Sequence, residues 1–536
     1  MSRKIVLIGL PTSGKSKTAG ILAQSLGCSW VDTDLVIEQT FGHKVSWFFQ
    51  QLGEEGFRAL EYQIVAQALA GSAQVVSVGG GAPTYPPTRE LLRDHSVYYL
   101  NASPDYLANR QEKRSAKSGS KKRGQVRPLL AGDIRQRFHE LYEARHQIYL
   151  DVATCVVDAE QRRNDTAADI VAHEKAAGDN IWVSAPRGSY PVNFGIDLVS
   201  QVSAMIPPRC GKVFIVCAPP MLSAGEALAK QLRTRQLDTQ VHQLPDGEAA
   251  KQLEVLCDLW QHLADAKIER HDLMVSIGGG ATTDLAGFAA ATWLRGIEII
   301  HVPTTLLAMV DASVGGKTGI DWTNGKNMVG SFYPPRGVVV DYTTLASLSE
   351  AHLREGLAEA IKCGFIQDTK ILDLVSDTGE ALVDAASPAL RQVIRRAVAV
   401  KAEIVSADLF ESSRREHLNF GHTLAHAIEK ATGYRCSHGQ AVAFGMVYAA
   451  HLGVLCGVSP VDVPHRVVAS LRQVGLQDTF KDCSFGTLKP LMFSDKKVRG
   501  GQLRFVVLRE LAQPDVISVS DETLLNRAAE LMGIPL

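Results

Sequence analysis

The sequence of 536 residues predicts an α/β protein in two successive parts. Three observations predict it. Apolar β-rich runs alternate with helical patterns up to about residue 350, as parallel sheets with crossover helices require. A glycine-rich loop of the phosphate-binding kind joins the first strand to the first helix. After about residue 349 the β signal fades, and residues 350–475 read as successive amphipathic helices with glycine near several ends. The expected order is an α/β domain over 1–172, a linker over 173–180, a second α/β subdomain over 181–348 and a mostly helical subdomain over 349–536.

The elements follow in order. Residues 4–9 (KIVLIG) read as a buried parallel strand, and a helix over 15–26 follows the glycine loop. Further β-rich runs fall at 74–79 and 96–100, with helical patterns at 56–70 and 133–150. The stretch 159–180 is polar and charged, with no apolar stripe, and marks the boundary; its first half could instead form a terminal helix of the first domain. Strand-like runs return at 212–217, 239–244, 273–277 and 297–302. The basic tract 113–124 (KRSAKSGSKKRG) reads as a solvated loop rather than an RNA-binding patch.

Composition narrows the function classes. The chain is 46% hydrophobic and 21% charged, with a formal net charge of -1, so bulk electrostatics gives no reason to expect nucleic acid. Acidic substrates would need local clusters of Lys and Arg. The nine cysteines are scattered with no CxxC pair, which fits reduced thiols in a cytosolic protein. No signal-peptide pattern and no membrane-spanning run appears. The expectation is a cytoplasmic protein with no nucleic-acid and no membrane partner.

Gly9–Ser16 (GLPTSGKS) fits GxxxxGK[ST] between a strand and a helix. Its amides cradle phosphates, Lys15 reaches the outer phosphates and Ser16 ligates Mg2+. Gly9, Ser13, Gly14, Lys15, Ser16 and Thr18 are therefore the ATP-binding candidates. Asp32 and Asp34 stand one residue apart, so both carboxylates should point the same way at a strand end. Asp32 would hold water on Mg2+, and Asp34 would take a proton from an attacking hydroxyl. Phe57-Arg58, the run 77–82 (SVGGGA), Arg127 in RPLL and Arg145 come next. Successive glycines let backbone approach a ligand, and arginine suits a carboxylate.

GLPTSGKS, DTD, FR, VGGGA and RPLL in this order resemble shikimate kinase over about residues 1–170. The resemblance implies a P-loop kinase that uses ATP and Mg2+. It implies that Asp34, Arg58, Gly79, Gly80, Gly81 and Arg145 hold shikimate, with Asp34 the base. Lys15 and Arg127, the latter on a closing lid, would stabilise the transferring phosphoryl group. The Lys/Ser/Gly tract lengthens that lid relative to the family. Another small-molecule kinase, such as a gluconate kinase, is the alternative. A non-catalytic docking module is disfavoured by the intact Lys15, Ser16 and Asp34.

The second part carries Asp246-Gly-Glu248 with Lys251, then Gly278-Gly279-Gly280 with Asp284, where a dinucleotide pyrophosphate would suit the helix start. Thr304-Thr305, Asp311 through Lys317 and Gly325-Lys326-Asn327 follow. Glu359 and Lys362 share one helical face. His422 and His426 also share a face, so spacing alone nominates them as a metal pair, with His438 close behind. No HExxH pattern is present, which argues against a metalloprotease.

DGE, GGG…D, PTT, GGKT, GKN, EAIK, LNFGHT…H, SHG and DKK in order resemble 3-dehydroquinate synthase over about residues 181–536. The resemblance implies an NAD-binding α/β subdomain and a helical metal- and substrate-binding subdomain. It revises the metal set to Glu359, His422 and His438, for Zn2+ or Co2+, and turns His426 toward substrate. It places Asp246, Glu248, Lys251, Gly278, Gly279, Gly280, Asp284, Thr304, Thr305, Lys317 and Lys326 against NAD+. Substrate falls to Arg295, Asp311, Lys317, Asn327, Lys362, Lys401, Arg415, Asn419, His426, Lys496 and Lys497. Two departures, GGGATTD without a further glycine and LASLS at 345–349, touch the dinucleotide side.

The implied substrate, 3-deoxy-D-arabino-heptulosonate 7-phosphate, carries a phosphate and a carboxylate. A net-neutral protein must meet both with clustered Lys and Arg. NAD oxidises a ring hydroxyl, phosphate leaves by elimination, the hydride returns and an aldol step closes the carbocycle. Asp311 and His426 are the proton-handling candidates. A homodimer through this half is expected. A metal-dependent polyol dehydrogenase is the alternative, but it would not need Lys317, Lys362, Lys401 and Arg415 together.

Overall fold

The computed structural model describes residues 4–92, 94–117, 133–153, 155–176, 180–185, 189–196, 198–207, 210–323, 325–411, 414–493 and 502–536. Arg127, Lys496, Lys497 and most of the basic tract lie outside the described residues. The chain divides into two compact units, 1–189 and 190–536.

The first unit is built on a parallel sheet ordered Trp30–Asp32, Val75–Ser77, Ile5–Ile8, Ser96–Asn101, Cys155–Asp158. The central strand Ile5–Ile8 is buried along its whole length, which is why it reads as an unbroken apolar run. Its C-terminal end feeds Gly9, whose φ of 142° no side chain tolerates well. A Cβ there would stand 2.7 Å from the Leu100 carbonyl. Helix Lys15–Leu26 then starts from Gly14 in a left-handed conformation.

The 173–180 linker needs correction. Its first residues continue helix Arg163–Ala176, which packs on helix Lys15–Leu26. Thr166, Ala167 and Ile170 are buried in this unit, a narrow stripe that the surrounding charges conceal in sequence. The division falls later, after Ser189, whose amide donates to the Val156 carbonyl at 2.6 Å.

The second unit has a parallel sheet running Tyr190–Gly195, Gly337–Asp341, Glu298–Pro303, Leu273–Gly278, Lys212–Cys217, Asp238–Gln243. An antiparallel hairpin, Lys317–Trp322 with Gly325–Phe332, follows it. The remainder is mostly helical, with one two-stranded ribbon, Leu503–Glu510 with Gln513–Val519. Helix Glu350–Ile366 is buried at every position from Gly356 to Ile366. A helix enclosed on all sides must pair any charge it carries. That requirement brings Glu359 and Lys362 together. No helix among the described residues is long and apolar enough to cross a membrane.

Candidate active sites

In the first unit, the phosphate loop bends at Thr12 (φ 68°) and Gly14 (φ 107°). Lys15 Nζ donates back to the carbonyls of Gly9 at 2.8 Å and Leu10 at 3.2 Å, so the lysine lies along the loop. The Ser13 hydroxyl is buried without a hydrogen-bond partner. A buried polar group costs stability when unmade, so an unsatisfied one inside a phosphate loop fits a ligand oxygen. Thr18 is buried one turn on, and Ser16 is exposed. Arg110, which sequence reasoning missed, donates to the Ser13 carbonyl at 3.2 Å and lies against Gly14.

The paired-carboxylate expectation fails in its geometry. Asp32 ends the strand and caps helix Thr33–Phe41, where Oδ1 accepts from the amides of Asp34 at 3.0 Å and Leu35 at 3.3 Å. Its Oδ2 accepts from Ser77 Oγ at 3.0 Å. Asp34 is therefore in the first turn of a helix, where strand alternation does not apply. It is nevertheless turned toward the glycine run. A Cβ on Gly79 would strike Glu61 Oε1 and stand 2.8 Å from Asp34 Oδ1.

Around that run the expected residues converge. Arg145 donates to the Gly80 carbonyl at 3.3 Å, as does the Tyr149 hydroxyl. Arg58 occupies the space that a side chain on Gly81 would need. Its Nη1 meets Glu61 Oε2 at 2.5 Å, and its Nε is buried with no partner. Burial pushes the Glu61 carboxyl up to about 7, with Asp34 adding to the shift and Arg58 opposing it. Glu61 was missed although Arg58 and Glu61 stand three residues apart on one helical face.

In the second unit, Gly279 precedes helix Gly280–Thr292. A Cβ on Gly278 would meet Thr282 Oγ1 at 2.5 Å, so this turn admits backbone only, as an approaching pyrophosphate requires. The Thr304 amide donates to the Gly278 carbonyl at 2.9 Å, and Thr305 Oγ1 accepts from the Ala308 amide at 3.2 Å. Asp246 precedes the short turn Gly247–Lys251. Lys251, 3% exposed, is held by Asp284 at 2.9 Å and by Glu248 at 3.9 Å, and Lys326 reaches Glu248 at 3.4 Å. Lys251, Asp284, Glu248 and Lys326 thus form one ionic network. Asn327 was expected among substrate residues, but its Oδ1 accepts from Lys251 within that network.

The deeper cluster surrounds Glu359. Its Oε1 is buried, makes no hydrogen bond of good geometry, and faces His422 Nε2 at 3.4 Å and His438 Nε2 at 3.3 Å. Its Oε2 pairs with Lys362. Three convergent donors, the unsatisfied carboxylate oxygen and two imidazoles, fit a divalent ion. His422 Nδ1 donates to the Phe420 carbonyl at 3.3 Å, which leaves Nε2 as the ligand atom. His438 Nδ1 faces Glu429 Oε1 at 3.4 Å. Glu429, also missed, is on the same helix as His422 and orients the other histidine. Burial opposes protonation of His438, but Glu359 and Glu429 push its pKa up to about 10.

Helical spacing alone pairs His422 with His426, whereas the convergent group contains His438. His426 is not in the convergent set; its ring lies 5.6 Å from that of His422. His438 opens the next helix, His438–Leu455, and reaches Glu359 from there.

Asp311 is beside this cluster, with Lys401 bound to both its carboxylate and its carbonyl. Burial would raise the Asp311 carboxyl, yet Lys401 and Lys362 more than offset it and hold it at about 2. Lys317 meets Glu411 at 2.5 Å, and Asn419 donates to the same carboxylate at 3.2 Å. Arg415 is 2% exposed and donates to the Leu409 carbonyl at 2.5 Å. Arg295 is not gathered in. It is exposed on the turn Trp293–Arg295 with φ 64°, and among the described residues it makes no hydrogen bond or ion pair.

Comparison with known proteins agrees with this division. Residues 11–174 match the shikimate kinase family. Residues 241–355 match 3-dehydroquinate synthase N-terminal, and 356–498 match 3-dehydroquinate synthase C-terminal. A 3-dehydroquinate synthase of Thermobifida fusca is 46% identical over 353 residues, covering 66% of this chain and 96% of the relative. That of Mycolicibacterium gilvum is 47% identical over 339 residues, covering 63% and 94%. Among solved structures, 2-deoxy-scyllo-inosose synthase complexed with carbaglucose-6-phosphate, NAD+ and Co2+ aligns with TM-score 0.60 at 26% identity, over 66% of this chain and 99% of that one. The 2-epi-5-epi-valiolone synthase of Streptomyces hygroscopicus, with NAD+ and Zn2+ bound, aligns with TM-score 0.59 at 26% identity, over 64% and 96%.

Proposed function

Because the chain belongs to the 3-dehydroquinate synthase family and carries a shikimate kinase region ahead of it, we propose a residue-level division of labour between its two activities. The chain is a bifunctional shikimate-pathway enzyme. It phosphorylates the 3-hydroxyl of shikimate with ATP, and it converts 3-deoxy-D-arabino-heptulosonate 7-phosphate to 3-dehydroquinate with release of phosphate.

In the kinase, Lys15, Ser13 and the loop amides hold the ATP phosphates, and Ser16 and Asp32 would hold Mg2+. Asp34 takes the proton of the attacking hydroxyl. Arg58 and Arg145 hold the shikimate carboxylate, a role supported by the buried, unpartnered Nε of Arg58.

In the synthase, Glu359, His422 and His438 would hold Zn2+ or Co2+. The glycine turn at 278–280 and the Lys251 network hold NAD+. When bound, NAD+ supplies a transient oxidation and the metal polarises the hydroxyl concerned. The chain's own residues do the rest. Lys317, Lys401, Arg415 and Asn419 meet the phosphate and carboxylate of the substrate. Glu411 keeps Lys317 and Asn419 in place until substrate replaces it. Asp311, ionised at neutral pH, accepts a proton, and His426 is placed to deliver one.

The observation that carries the synthase reading is the unsatisfied Glu359 Oε1 between two imidazoles, with Lys362 on the other oxygen. A paired assay tests both activities: phosphate release from the heptulosonate phosphate without net NADH, and ADP release dependent on shikimate. Accumulation of NADH would indicate a polyol dehydrogenase instead. We also place the protein in the cytoplasm, which its nine free cysteines support. It is further proposed to form a homodimer through the synthase half. Exposed Trp322, Met328 and Phe332 along the hairpin supply apolar area for that contact, and sedimentation at equilibrium tests it.

A further inference from the structure

A third group of donor side chains lies outside both sites. His242 is on Asp238–Gln243, the edge strand of the second unit's sheet, and Asp258 and His262 are one turn apart on helix Leu253–Asp265. Asp258 Oδ2 stands 3.6 Å from His242 Nε2 and 3.4 Å from His262 Nδ1. The two imidazole rings are 4.2 Å apart between centroids.

These spacings are long for charge-assisted hydrogen bonds, which run about 2.7–2.9 Å. They match a different geometry. Around a tetrahedral ion with bonds of ~2.1 Å, neighbouring donors stand ~3.4 Å apart. The donor atoms of all three residues lie within 4.8 Å of one another. His242 is seated against the buried Phe214 ring at 6.2 Å and is 13% exposed, so one donor is fixed by packing. Asp258 and His262 are 57% and 47% exposed, which leaves a coordination position open to water. His262 Nδ1 donates to the Asp258 carbonyl at 2.9 Å, and an ion would take the place of that proton.

We propose that His242, Asp258 and His262 form a second, peripheral site for a divalent ion of the zinc class, separate from Glu359, His422 and His438. Two imidazoles and one carboxylate suit Zn2+, Co2+, Ni2+ or Cu2+, whereas Mg2+ and Ca2+ prefer oxygen donors. The position has a mechanical consequence. The strand and the helix flank segment 244–252, which carries Asp246, Glu248 and Lys251. An ion bridging His242 to the helix clips the two ends of that segment together.

The test counts ions on the full chain. Wild-type protein and a His242→Ala/His262→Ala variant are dialysed against low-micromolar Zn2+ and measured by elemental mass spectrometry. The wild type should hold one ion more per chain than the variant, and Zn2+ should raise the unfolding temperature of the wild type further. ADP release should be the same in both, because none of the three residues belongs to the kinase unit. Equal ion counts would overturn the proposal. Should the double variant fold poorly, Asp258→Asn at an exposed helical position serves instead. It should weaken this ion's affinity by at least about tenfold, and unchanged affinity would overturn the proposal equally.

Discussion

The kinase site is made largely of backbone, and the synthase site largely of buried charge. Around Gly9–Gly14 and Gly79–Gly81 the ligand surface is amides, carbonyls and the space left by missing side chains, with Arg58 and Arg145 at the margin. Around Glu359 it is Lys362, Lys401, Asp311 and two histidines, drawn from separate elements and paired with Glu359 or with one another, while the buried Arg415 is held by the Leu409 carbonyl. A loop of amides keeps its shape when one neighbouring side chain changes. A network of buried charges does not, because removing one member leaves another uncompensated. Substitutions in the second site should therefore do more damage than those in the first.

The largest expected effect tests that contrast directly. Glu359→Gln removes a metal donor and leaves Lys362 buried without its partner, so phosphate release should be abolished and the bound metal lost. Shikimate phosphorylation should be unchanged. A zinc-selective chelator should reproduce this, with recovery on adding Zn2+ or Co2+. His438→Ala should lose the metal and His426→Ala should keep it. The reverse result would return the assignment to simple helical spacing.

Asp34→Asn is the counterpart in the kinase. Loss of a general base should lower turnover by roughly a hundredfold or more. The synthase should not respond. Wild-type shikimate phosphorylation in this variant would remove Asp34 from its role.

What was legible in the sequence follows the same contrast. The phosphate loop is contiguous, so Gly9, Gly14 and Lys15 announced both a strand-to-helix turn and its ligand. The metal set is not contiguous. Periodicity can show that His422 and His426 share a helical face, but not that His438 opens another helix beside Glu359. Only the family resemblance supplied that. Glu61 and Glu429 escaped because each acts through a neighbour: Glu61 grips Arg58, and Glu429 faces His438. The expected 173–180 linker fails because helix Arg163–Ala176 runs into it and the first unit extends to Ser189, neither of which the polar run marks in sequence.

Glu429→Gln should give an intermediate effect. It keeps the size of the side chain but weakens the hold on His438 Nδ1. Carboxylates in this position typically account for about ten- to a hundredfold in metal affinity. Competition against a chromophoric chelator measures this. Synthase activity should be recovered at saturating metal, which separates an orienting role from a direct one. If saturating Zn2+ restores nothing, Glu429 does more than orient the histidine.

The smallest expected effect is a pH dependence in the kinase, and it arises at the one place where that site resembles the synthase. Glu61 and Arg58 form a buried pair, and burial lifts the Glu61 carboxyl from 4.5 to about 7, with Asp34 reinforcing the shift against Arg58. A raised carboxyl favours the protonated form in the folded chain. Its stabilising contribution is complete below pH 4.5 and is lost as pH rises through about 7. The consequence for binding has the same sign. Neutral Glu61 leaves the Arg58 guanidinium to the shikimate carboxylate, whereas ionised Glu61 competes for it and repels the incoming anion. The KM for shikimate should therefore rise as pH increases through about 7, by up to roughly tenfold per unit. The KM for ATP should not follow this profile, since Glu61 contacts Arg58 and the Gly79 run rather than the phosphate loop. Glu61→Gln should flatten the shikimate profile at its low-pH value. A wild-type KM that is constant across neutral pH, or a Gln variant that keeps the slope, would mean that Arg58 is not shared between Glu61 and substrate.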